Sequence, residues 1–126
     1  MSEKTNIVDT TELGAAEQEA AETPVENVGR YVHNFVNPFS YEGKTYEKLT
    51  FDWAKLTAKD SLAIENEMMS LGKPLVAPEF SGEYLIRMAV RACEEKVAIN
   101  VLQAIPLGDY NKIRARARTF LLRSGS

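Results

Sequence analysis

The sequence predicts an α+β domain: an N-terminal β-hairpin followed by three main α-helices, with a disordered acidic tail in front. Three observations predict it. Two stretches rich in β-favouring apolar residues flank the short turn Glu42-Gly43-Lys44, a helix-capping pair sits at Thr57 and Asp60, and helical periodicity dominates from Ser81 to the end. At 126 residues and 44% hydrophobic, the chain suits one domain over 30–126 with a modest core, preceded by the tail at 1–29.

The tail comes first. Met1 to Arg30 holds seven acids against two bases, whereas the remainder holds 11 acids and 13 bases, so the formal charge of -3 arises in this segment. Ile7, Val8, Leu13 and Val25 are too few apolar groups to offset the entropy of ordering, which is why disorder is expected. AAEQEAAE at 15–22 favours helix by composition, yet eight residues fall short of the roughly 12 an isolated helix needs.

From Tyr31 the character changes. Tyr31 to Tyr41 is expected to pair with Thr45 to Trp53 across the turn, with Gly43 supplying a positive φ and Pro38 confining its strand to an edge or a break. The alternation in the second strand slips between Tyr46 and Leu49, where a bulge is expected. Thr57 and Asp60 open the first helix near Ala58, and Gly72 with Pro74 beyond it closes it. Ile64, Met68 and Leu71 are its expected inner face, and Glu65, Asn66 and Glu67 its wet one. In the connection KPLVAPEF, Leu75, Val76 and Phe80 are expected to pack down.

Ser81 caps the second helix, expected to run to about Lys96. Its apolar stripe is Tyr84, Leu85, Met88, Ala89, Ala92 and Cys93, and Glu83, Arg87, Arg91 and Glu95 line the other side. Ala98 to Leu107 fits strand or a short helical turn, and Asn100 and the Pro106 stop favour the turn. The last helix runs through Arg123, with Asp109 as cap or in the first turn and Tyr110, Ile113, Ala117, Phe120 and Leu121 along one side.

Little here points to chemistry. His33 is the only histidine and is expected to be structural or on the surface; Cys93, the only cysteine, is expected to be a buried, inert thiol and excludes an intrachain disulfide. Glu65 and Glu67, or Glu94 and Glu95, are not spaced to share a helix face, and phosphate, nucleophile-elbow and calcium loops are missing from the sequence. No catalytic residue, metal site or cofactor is therefore expected. No apolar run approaches the roughly 20 residues that span a bilayer, and a soluble cytosolic protein is the default expectation. The arginines of RARAR at 114–118 fan around a helix by about 200° per step. They form no single stripe, which disfavours nucleic-acid binding and leaves Arg114, Arg116 and Arg118 as a solvated face or an electrostatic surface for an acidic protein partner. Tyr46, Phe51, Trp53, Met68 and Met69 gather at the strand-to-helix corner, either as core or as an adaptable peptide-binding surface.

The order of YEGKTYEKLTF, LTAKD opening a helix, a second helix, IPLGDYNKI and a late FLL resembles the small tail assembly chaperones of long-tailed bacteriophages and prophages over residues 31–122; KPLVAPEF falls outside the pattern. The resemblance implies a non-enzymatic protein in the host cytoplasm that coats the helical tape-measure protein until tail-tube protein polymerises around it, and that is absent from the finished virion. Such a protein needs an apolar groove and many copies in a row, so self-association is a further expectation. The expected groove lies between the hairpin (Tyr46, Phe51, Trp53), with Met68 and Met69 beside it, and the last helix (Tyr110, Ile113, Phe120, Leu121). The alternatives are a structural tail component retained in the particle and a small nucleic-acid-binding regulator.

Overall fold

The computed structural model describes residues 28–124, so the expected tail, apart from Val28 and Gly29, lies outside the described residues. Strand β1 (Arg30–Tyr41) and strand β2 (Lys44–Asp52) form an antiparallel hairpin. Helix α1 (Ala58–Ser70), helix α2 (Gly82–Ala92), the short helix α3 (Ile99–Gln103) and helix α4 (Leu107–Ser124) follow. Single 3-10 turns at Trp53–Lys55 and Pro78–Phe80 lead into α1 and α2.

The hairpin turn is a two-residue loop with positive φ at Glu42 (50°) and Gly43 (83°), the backbone handedness that matches the twist of the strands. Tyr31 faces Phe51 and His33 faces Leu49 across the ladder, so one side of the ribbon carries the rings. The register slips between Asn34 and Phe39: Phe35 to Pro38 on β1 stand opposite Glu47 alone on β2. The irregularity therefore lies opposite the expected place on β2, but the extra residues belong to β1, where Pro38 cannot donate to a ladder.

Phe51 stacks on Trp53 at 5.2 Å, and the two sit with Leu49, Ile64, Met68, Leu85, Met88 and Ala92 at the centre of the core. α2 lies in the middle of the molecule, packed by α1 on one flank and α4 on the other. Its apolar stripe is buried as expected, and its polar side is tied to α1 by Arg87 to Glu67 at 3.3 Å and Arg91 to Asp60 at 2.8 Å.

Both caps form where the sequence puts them. The Thr57 amide donates to the Asp60 carboxylate at 2.8 Å, the Tyr84 amide donates to the Ser81 hydroxyl at 3.1 Å, and Gly72 takes φ 70° after α1. Residues 99–103 are helical, with Ala98 rather than Asn100 in the cap position, and the Asn100 side-chain Nδ2 instead donates to the Tyr41 hydroxyl at 3.1 Å. Asp109 stands in the first turn of α4.

One boundary moves. α2 ends at Ala92 instead of near Lys96, because Cys93 turns extended and bridges to Phe51. The Glu94 amide then donates to the Thr50 carbonyl at 2.8 Å, and the Thr50 amide donates to the Glu95 carboxylate at 2.7 Å. Thr50 is buried, so its outward amide and carbonyl need partners, and this segment supplies both. Glu95 consequently serves the sheet edge and leaves the helical charge row.

Candidate docking surface

The expected groove between hairpin and last helix is filled. Phe51, Trp53, Met68 and Ile113 are buried, and Tyr46, Tyr110, Phe120 and Leu121 are half-buried against the same core. α4 packs directly on β1, and these groups lie in or against one core rather than lining a cleft. Of the nine residues, Met69 alone is exposed.

Exposed apolar surface gathers elsewhere. Met69 is 74% exposed, Leu71 57% and Val76 96%, and Leu62 lies two turns before Met69 on the same exposed side of α1. Leu71 and Val76 were expected inside; so was Phe80, which is 72% exposed. Gly72 ends α1 one residue after Leu71, and Pro74 and Pro78 hold the next segment out of helix and sheet, so only Leu75 is drawn onto the core. A groove of about 410 Å³ results, with Met69, Pro74, Leu75 and Val76 among its walls, Met68 behind them, and Glu65 and Lys73 as its charges. The paired prolines around Leu75 and Val76 were the available signal.

His33 is buried in a polar relay that crosses from β1 to α4. Its Nε2 lies 2.7 Å from Asp109 Oδ1, and its Nδ1 lies 2.8 Å from the Tyr31 hydroxyl. With the proton on Nε2, the imidazole donates to Asp109 and accepts from Tyr31, satisfying both ring nitrogens. His33 is thus structural, as expected; its partner was hidden because 76 residues separate them.

Arg114, Arg116 and Arg118 of α4 each cover a ring of the protein's own. Arg114 stands 5.7 Å over Tyr110, Arg116 4.5 Å over Tyr31 and Arg118 5.5 Å over Phe80. Their fan around the helix, visible in the sequence, carries each to a different neighbour.

Burial pushes the Cys93 thiol up to about 11, helped by the charge of Glu95, so it is not a thiolate at neutral pH. For Glu95 itself burial acts upward, but hydrogen bonds from Thr50, its own amide and Cys93 together outweigh it and leave the carboxyl below its ordinary value. Among the described residues, no group of three potential ligands could hold a metal ion. No helix among them is long and apolar enough to cross a membrane. No family model, curated protein or solved structure matches the chain.

Proposed function

We propose that the protein is a non-catalytic assembly chaperone of the phage-tail kind, which holds apolar helical segments of a tape-measure protein until tail-tube protein replaces it. The observation that carries this reading is the exposed apolar groove of α1 and the loop after it, bordered by Met69 and Val76. Side chains such as Met69 adapt to varied apolar partners, and a groove beside a helix suits the apolar face of an amphipathic client. Each contact is small. Many copies along one long client raise the overall hold without making any single copy hard to displace.

The test is co-expression with an insoluble tape-measure-like protein encoded beside this one. Wild type is expected to keep it soluble and to co-purify, and Met69→Glu with Val76→Glu is expected to lose both while keeping the wild-type thermal midpoint. A client that stays insoluble with wild type sinks the proposal. Recovery of the chain from purified, finished tails by mass spectrometry favours a retained structural component instead.

A further inference from the structure

Each arginine elsewhere among the described residues meets a carboxylate: Arg30 meets Glu94, Arg87 meets Glu67 and Glu83, and Arg91 meets Asp60. α4 differs. It carries Lys112, Arg114, Arg116, Arg118 and Arg123 against the single acid Asp109, and Asp109 is already engaged by His33. Among the described residues, Lys112, Arg114 and Arg116 have no carboxylate within ion-pair distance; Arg114 and Arg116 rest over rings instead. A guanidinium over a ring face still directs N–H groups from its edge, where a carboxylate can accept them.

The chain supplies the matching charge. Residues 1–27 contain seven acids and one base. The Gly29 carbonyl accepts from the Ala54 amide at 3.1 Å, which fixes where this segment joins the domain, and Tyr31, two residues on, lies under Arg116. The junction at Gly29 to Tyr31 therefore lies close to the basic helix. Lys112 and Arg116 are one helical turn apart, about 6 Å. The ten residues from Glu17 to Glu26 can extend about 33 Å, so reach does not limit them.

We propose that the acidic segment preceding Val28 docks along α4 of its own chain, with carboxylates among Glu17, Glu19, Glu22 and Glu26 meeting Lys112, Arg114 and Arg116. This inference rests on charge and connectivity alone and stands apart from the proposed client groove, which involves α1. Covalent linkage places the segment at an effective concentration in the millimolar range, so weak, exposed pairs suffice.

The test uses the full chain carrying Ala21→Cys with a nitroxide label; Cys93 is buried and stays unlabelled. Labelled isotope-enriched chain is diluted into unlabelled chain of natural abundance, so that only effects within one molecule are read. Amides of Lys112 to Thr119 are expected to broaden selectively at about 0.1 M salt and to recover at about 1 M, where the screening length falls from about 10 Å to about 3 Å. The full chain with Glu17, Glu19, Glu22 and Glu26 all changed to Gln is expected to lose the broadening. Uniform or absent broadening, its persistence in the Gln variant, or its appearance only between different copies overturns the proposal.

Discussion

At the level of single residues, the described structure turns on two buried polar groups that the sequence does not pair. His33 and Asp109 meet at 2.7 Å, and removing either leaves a buried polar atom of the other without this contact. His33→Ala and Asp109→Ala are each expected to cost about 3 kcal/mol in urea unfolding, and the double variant less than their sum. Additive losses would mean the contact contributes nothing of its own. Trp53 presents the opposite case: its indole Nε1 is buried and has no acceptor among the described residues. Trp53→Phe gives up volume but also removes an unsatisfied donor worth about 1–3 kcal/mol. Its destabilisation is therefore expected to stay well below the roughly 3–5 kcal/mol of Trp53→Ala, measured by circular dichroism because this is the only tryptophan. Types and burial of such residues were legible, since a lone histidine and a lone cysteine in apolar surroundings suggest interior roles. Partners were not, because contacts spanning tens of positions leave no periodic trace.

Elements were read best where a local rule decides them. Thr57 with Asp60, Gly72 and Ser81 fixed three helix ends, since capping involves only neighbours in sequence. The Thr57 amide, and after it the Arg91 guanidinium, hold the Asp60 carboxyl below its ordinary value of 3.8. A group depressed in the folded state contributes stability above its unfolded value and loses it as pH falls through the folded one. Thermal midpoints of wild type and Asp60→Asn are thus expected to differ at pH 6 and to converge in acid below 3.8; a gap that is constant with pH would contradict this. The end of α2 was misjudged for a tertiary reason. Nothing within Cys93 to Lys96 announces that β2 needs an edge partner, yet the Thr50 amide depends on the Glu95 carboxylate. Glu95→Ala is expected to cost about 1–3 kcal/mol, with faster hydrogen exchange at the Thr50 amide, and Glu95→Gln, which keeps an acceptor, less.

At the scale of the whole molecule, the fold class was legible and the surface was not. A hairpin and three long helices follow from local patterns, but whether their apolar faces close on each other depends on how α4 lies against β1. It lies directly upon it, so the expected groove is interior, while Met69, Leu71 and Val76 stand exposed at the far end of α1. Because Met69 and Val76 serve no internal contact of consequence, Met69→Glu and Val76→Glu are each expected to change unfolding free energy by no more than about 0.5 kcal/mol. A large loss would place them in the core's support. The four residues Phe35 to Pro38, set against one on the facing strand, have an effect beyond their own turn of chain. A foreign peptide zipping along the outer rim of the ribbon would lose step after Asn34 and then meet an imino acid with no proton to offer. Edge-to-edge pairing of such ribbons would thus be cut short within a few rungs, the kind of interruption that blunts an open strand against unwanted partners.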